Sequence, residues 1–327
     1  MTTTIGTDLS AAAHWLERGE CVGIPTETVY GLAANALDAE AVVKIFEVKN
    51  RPAFDPLIVH VADIDAAAHF AEQLPAALYR LAVHFWPGPL TLLLPKRPLI
   101  PDLVTSGLSR VALRAPAHPI AQALLRDLAF PLAAPSANPF GYISPTTAQH
   151  VFDQLHGKIP YILDGGPCAI GVESTIIGFE DEKPTIYRLG GLALEVIEAV
   201  VGPVQVRLNQ SSDPAAPGML KSHYAPRKPL FLVTNGQNLP KEAFPGQGEK
   251  IGLLLFRNDC RDLASSVKAT KVVALSSSGK LAEAAKNLFA ALRELDQSDV
   301  HCILAETCPE EGLGLAINDR LRRAAVH

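Results

Sequence analysis

The chain has few cysteines, and no two of them are spaced to hold a metal. Cys21, Cys168, Cys260, Cys302 and Cys308 are scattered and odd in number. That argues against a disulfide framework or a Cys-x-x-Cys zinc site and fits a reducing compartment, the cytoplasm. No apolar run approaches the roughly 20 residues that cross a bilayer. The first eight residues lack the basic and apolar regions of a secretory signal, so neither membrane insertion nor export is expected. An excess of positive charge is also missing. The 29 Lys and Arg against 34 Asp and Glu leave a net charge of −5, the wrong sign for a protein whose main partner is nucleic acid. Gly-x-x-x-x-Gly-Lys-Ser/Thr and Gly-x-Ser-x-Gly do not occur, and no Ser/His/Asp order stands out. A P-loop nucleotidase and a nucleophile-elbow hydrolase are therefore excluded.

Apolar material is plentiful. Hydrophobic residues make up 48% of 327, enough for a sizeable core and, at roughly 150 residues per domain, for two of them. Short apolar runs alternate with helical periodicity. Strands are expected at Cys21–Ile24, Leu57–Val61, Leu90–Leu94, Val111–Leu113, Pro131–Ala134, Tyr161–Leu163, Thr175–Phe179 and Thr185–Leu189. Helices are expected from the cap Asp38 to Lys49, then at Ala66–Glu72, Ala76–Phe85, Ile120–Leu128, Thr147–Leu155 and Leu194–Val200. This reads as one mixed α/β sheet covered by helices. A polar Pro/Gly-rich stretch, Gln210–Gly218, reads as part of a linker. A smaller Rossmann-like α/β unit follows: strands at Leu230–Val233, Ile251–Phe256, Val272–Leu275 and Cys302–Ala305, and helices at Leu281–Leu295 and Leu315–Ala325. The expected domains are residues 1–202, a linker at 203–228, and residues 229–327.

Polar groups concentrate at the strand ends. Pro25–Leu32 brings two hydroxyls, a carboxylate and a phenol onto a loop after a strand, where open α/β sheets bind ligands, although the same residues suit an ordinary polar turn. Lys49-Asn50-Arg51-Pro52 ends a helix with two cations. These suit an oligophosphate or, equally, the negative end of the helix dipole. Pro135-Ser136-Ala137-Asn138 and Glu173-Ser174-Thr175 are further polar loops, and Arg188 lies at a strand end, facing either a phosphate or a surface carboxylate. His223-Tyr224, within Ser222–Pro226, is an uncommon pair on a connector and reads as a lid. Gly312-Leu313-Gly314 lacks a third glycine and reads as a turn opening a helix, and Arg320, Arg322 and Arg323 read as a solvated face.

Taken together, the segments PTETVYGLAAN (25–35), KNRP (49–52), PLIVH (56–60), WPGPLT (86–91), PSAN (135–138), GVEST (171–175) and Arg188–Gly190 resemble the Sua5/YrdC family of threonylcarbamoyl-adenylate synthases. SHYAP (222–226) and GLGLAINDRL (312–321) resemble its two-domain Sua5 form. The resemblance implies a YrdC-like twisted mixed sheet and a reaction joining L-threonine, bicarbonate or CO2, and ATP with Mg2+. It gives threonylcarbamoyl-AMP and pyrophosphate for the t6A modification of tRNA, with tRNA or proteins of that pathway as further partners. It implies that Lys49 and Arg51 are catalytic. With Ser136, Asn138, Ser174, Arg188 and Tyr224 they would hold ATP in a cavity at the rim of the first sheet. Thr26, Tyr30, His60, Arg114 and Ser174 would line the threonine and carbamate end, with Arg114 on the threonine carboxylate. His223 and Tyr224 would form the lid. Mg2+ would be carried by phosphate oxygens, with no protein metal site.

Asp55 stands where many relatives carry Asn, and it is expected to cap the turn before the next strand. An RNA-binding module of the YrdC type without adenylation activity is the alternative reading. A hydrogenase-maturation role is disfavoured, because the zinc-finger and acylphosphatase segments of those chains are missing.

Overall fold

The computed structural model describes residues 1–208, 216–217, 223–233, 250–257, 267 and 269–325. Lys221, Ser222 and most of the Gln210–Gly218 stretch lie outside the described residues. The chain divides into two compact units. One comprises Met1–Phe140, Ser144–Ala169 and Glu173–Leu220; the other comprises Gly141–Ile143, Ile170–Val172 and Lys221–His327.

In the first unit the strands are β1 (Thr4–Gly6), β2 (Val22–Ile24), β3 (Gly31–Asn35), β4 (Ile58–His60), β5 (Leu90–Pro95), β6 (Arg110–Arg114), β7 (Leu132–Ala133), β8 (Tyr161–Leu163), β9 (Thr175–Glu180), β10 (Lys183–Arg188) and β11 (Gln205–Val206). They form one sheet in the order β1-β8-β2-β3-β7-β4-β6-β5-β9-β10-β11, with parallel and antiparallel pairs interspersed. The expected mixed sheet is therefore present. β1 and β3 were not expected as strands. β3 begins at Gly31 and Leu32, the last two residues of the segment read as a loop, because Gly31–Asn35 pairs antiparallel with both β2 and β7. β11 begins the segment read as linker and is an edge strand of this sheet.

Helix ends follow local chemistry. Asp38 caps Ala39–Lys49 by accepting from the backbone N–H groups of Glu40 and Ala41. At the other end Asn50 takes the left-handed conformation (φ 51°), its N–H reaching Glu47 O and that of Arg51 reaching Phe46 O, a Schellman closure. Leu9–Glu17 and Pro119–Asp127 lay Ala12, Leu16, Leu124 and Leu125 over Val22, Ile24, Ala33 and Leu132. Fully burying each such leucine is worth about 1.5–3 kcal/mol.

The second unit is built on β12 (Leu230–Val233), β13 (Ile251–Arg257), β14 (Lys271–Ser276) and β15 (Cys302–Glu306), all parallel, in the order β12-β15-β13-β14. Helix Leu281–Gln297 packs on this sheet, and Gly312 precedes helix Leu313–Ala324, as expected from the sequence. The basic stretch of that last helix is not a solvated face. Arg320 is 0% exposed and Arg323 4%, and Asp319 lies 3.0 Å from Arg320 Nη1 and 3.3 Å from Arg323 Nε. Only Arg322 of the three is exposed, paired with Glu310. The carboxylate at Asp319 and the ring of Tyr224, 5.3 Å from the Arg320 guanidinium, make that burial tolerable.

Candidate active site

The Pro25–Tyr30 loop is held by its own side chains. Thr26 Oγ1 accepts from the N–H groups of Thr28 and Val29 and lies 2.6 Å from Val29 O and 2.8 Å from Thr28 Oγ1. The Tyr30 hydroxyl is shared between Gly166 O at 2.8 Å and Asp164 Oδ1 at 3.2 Å, and it accepts from the Gly165 N–H. Burial raises the phenol's pKa further above its ordinary value. Both hydroxyls thus serve the loop's shape.

Lys49 is 1% exposed, at the end of its helix. Its ammonium donates to Ser136 O at 2.5 Å and to Asn138 O, so the second loop wraps the lysine through backbone oxygens. Burial, then the Arg51 charge, lowers the lysine's pKa well below the ordinary range. Arg51 donates from Nε to Asp55 O and from Nη2 to Pro56 O, and Nη2 also lies 2.8 Å from Asp55 Oδ2. Asp55, 0% exposed, therefore pairs with Arg51 instead of capping the turn by its side chain. A desolvated guanidinium draws the nearest carboxylate more strongly than a backbone N–H does.

Beyond β4 lies a second group. His60 at its end is the register partner of Arg114 on β6. Burial, then the guanidinium of Arg114, holds the imidazole at about 3, so it is neutral at physiological pH. Arg114, 4% exposed, donates to Glu27 Oε1 at 2.7 Å. On the neighbouring strands Ser174 Oγ lies 2.7 Å from Thr91 Oγ1 and accepts from Arg188 Nη2 at 3.0 Å, while Arg188 Nε donates to Ser174 O. Gly190 allows this arrangement, since a Cβ there would lie 2.3 Å from Glu173 O.

Along the chain, Arg51 meets Asp55 and Pro56 just before β4, and His60 is the last residue of that strand. His223 and Tyr224 are buried in the second unit. Their rings are 4.1 Å apart at the centroids, and Tyr224 (φ 66°) stacks on Phe289 at 5.6 Å.

Known proteins resemble this chain over nearly its whole length. Residues 14–190 match a family model described as telomere recombination, and residues 192–326 match threonylcarbamoyl-AMP synthase, C-terminal domain. The Pyrococcus abyssi threonylcarbamoyl-AMP synthase is 44% identical, with 96% of this chain and 93% of that protein covered. The chain belongs to the Sua5 family of threonylcarbamoyl-AMP synthases. The Bacillus subtilis member is 43% identical over 97% of this chain and 92% of its own length. The crystal structure of P. abyssi Sua5 complexed with L-threonine superposes with a TM-score of 0.88 at 41% identity, covering 100% of this chain and 99% of that one.

Within this Sua5-family chain, the structure adds residues that the motifs left unassigned. Glu27 pairs with Arg114, Thr91 bonds Ser174, and Glu173 Oε1 accepts from Ser144 Oγ at 2.6 Å. Each sits inside a quoted motif or beside one, but its partner lies many residues away, which no local pattern announces.

Proposed function

We propose that this chain joins L-threonine, bicarbonate or CO2, and ATP into threonylcarbamoyl-AMP and pyrophosphate. The observation that carries this reading is full-length likeness to synthases of that name, together with a buried Lys49–Arg51 cluster at one end of β4 and an Arg114–His60 pair at the other. Threonine's amine takes up CO2 to form a carbamate. A carbamate oxygen then bonds the α-phosphorus of ATP as the bond to the bridging oxygen breaks, and pyrophosphate leaves.

Such a displacement needs positioning and charge neutralisation rather than a protein nucleophile. Lys49 and Arg51, with Ser136, Asn138, Ser174 and Arg188, hold the nucleotide. Lys49 gains most, because its buried ammonium has no carboxylate bonded to it and a phosphate would favour its charged form. Thr26, Tyr30, His60 and Arg114 line the amino-acid end. Neutral His60 adds no charge there, which leaves Arg114 to meet the carboxylate. Mg2+ arrives on the ATP, held by phosphate oxygens and water. His223 and Tyr224 act as a lid during turnover; a solved P. abyssi Sua5 variant replaces an adjacent His and Tyr with Ala. The product feeds tRNA t6A modification in the cytoplasm; no helix among the described residues is long and apolar enough to cross a membrane.

The test is pyrophosphate release from MgATP and bicarbonate with and without threonine. Threonine-dependent release is expected. Binding of tRNA with no such release would overturn the reading in favour of an RNA-binding module.

A further inference from the structure

Glu27 is 7% exposed on the Pro25–Tyr30 loop, and its two oxygens differ. Oε1 accepts from Arg114 Nη2 at 2.7 Å, whereas Oε2 is buried and accepts no hydrogen bond. A buried carboxylate oxygen without a donor is costly, of the kind a protein keeps where a ligand supplies the partner. The donors nearby in sequence are committed elsewhere: Thr26 and Thr28 bond each other, and Tyr30 bonds Asp164 and Gly166. The carboxylate is also held in place, because Arg114 is itself fixed on β6 with Nε directed to Gly88 O.

A carboxylate and a guanidinium side by side, both nine-tenths buried or more, present opposite charges at one point. That is the electrostatic complement of a free α-amino acid, whose ammonium and carboxylate are joined through one carbon. We propose that Glu27 Oε2 accepts the hydrogen bond from the substrate's amino nitrogen while Arg114 takes its carboxylate, so that the pair reads the zwitterion. After the carbamate forms, the nitrogen still carries one N–H, and the same oxygen continues to accept from it. Glu27 is then a substrate-binding residue that favours the amino acid over the same acid without its amine. This rests on the proposal that the Arg114 end binds threonine.

Calorimetric titration of the full chain with L-threonine and with (3R)-3-hydroxybutyrate, in which hydrogen replaces the amine, tests it. A hydrogen bond to a charged group predicts that the native chain prefers threonine by about ten- to a hundredfold. E27Q, nearly the same shape, should lose that factor for threonine and change little for the hydroxy acid. Equal affinity of the native chain for the two ligands overturns the inference without any variant. So does an E27Q protein, folded by circular dichroism, that keeps the preference or loses both ligands equally; the latter would mean that Glu27 serves only to hold Arg114. A native chain that binds neither ligand would instead bring down the threonine assignment of this end, and the inference with it.

Discussion

His60 provides the sharpest quantitative test of the site as folded. An imidazole with an ordinary value of 6.5 is held at about 3 in the fold, chiefly because it is desolvated and next because Arg114 lies alongside; bonds to the backbone at Ile58 and Leu132 pull weakly the other way. The sign is fixed by which state binds protons. Between pH 6.5 and 3 the unfolded chain takes a proton at this residue and the folded chain does not, so acid favours unfolding. The stability is whole above about pH 6.5, falls as pH drops through that value, and reaches its full loss below about 3. Between pH 7.5 and 5.0 the loss through His60 comes to about 2 kcal/mol, at 1.36 kcal/mol per pH unit of unequal protonation. Because the side chain is only 2% exposed, solvent screening takes little from that figure.

Both tryptophans of the chain, Trp15 and Trp86, belong to the first unit, so urea unfolding followed by tryptophan fluorescence reports the unit that carries His60. Wild type and H60N are compared at the two pH values. Their offset at pH 7.5 reflects packing and is set aside. The wild type should lose about 2 kcal/mol more than H60N on acidification. Parallel pH dependences would refute the reasoning, and would mean that His60 is solvated or already charged in the folded chain.

Two further perturbations follow from the cationic groups. S174A should cost about 1–3 kcal/mol, since Thr91 and Arg188 each lose the Ser174 hydroxyl in a dry place, and adding T91V should return part of it; thermal melts in which the double variant is simply the sum of the singles would contradict the shared bond. Lys49 has its pKa lowered by burial, so ATP should draw a proton onto the enzyme when it binds in alkaline buffer, seen as a buffer-dependent heat of binding that K49M abolishes. Identical heats in buffers of different ionisation enthalpy would argue that no phosphate reaches the lysine.

Much of the local structure was legible beforehand because it is decided within a few residues. The Asp38 cap, the helix to Lys49, the helix Ala76–Phe85 and the strand Tyr161–Leu163 lie where residue periodicity and capping chemistry put them. The motif residues Lys49, Ser136 and Asn138 do converge, through the Ser136 and Asn138 carbonyls that Lys49 binds. What stayed hidden was pairing at long range. Nothing near Gly31–Asn35 says that β7 lies beside it, and nothing near Thr4–Gly6 marks it as an edge strand held by β8, with Thr3 bonded to Ile159 across 156 residues.

The composition, the helix caps and the string of polar loops after apolar runs are properties of neighbouring residues, and the sequence alone determined them together with the family likeness. Which charges ended up buried, and against what, was decided only by the tertiary fold. Asp55 against Arg51, Glu27 against Arg114 and Asp319 between Arg320 and Arg323 are set by desolvation. A charge removed from water must find its opposite wherever packing has placed it, and packing is a property of the whole chain.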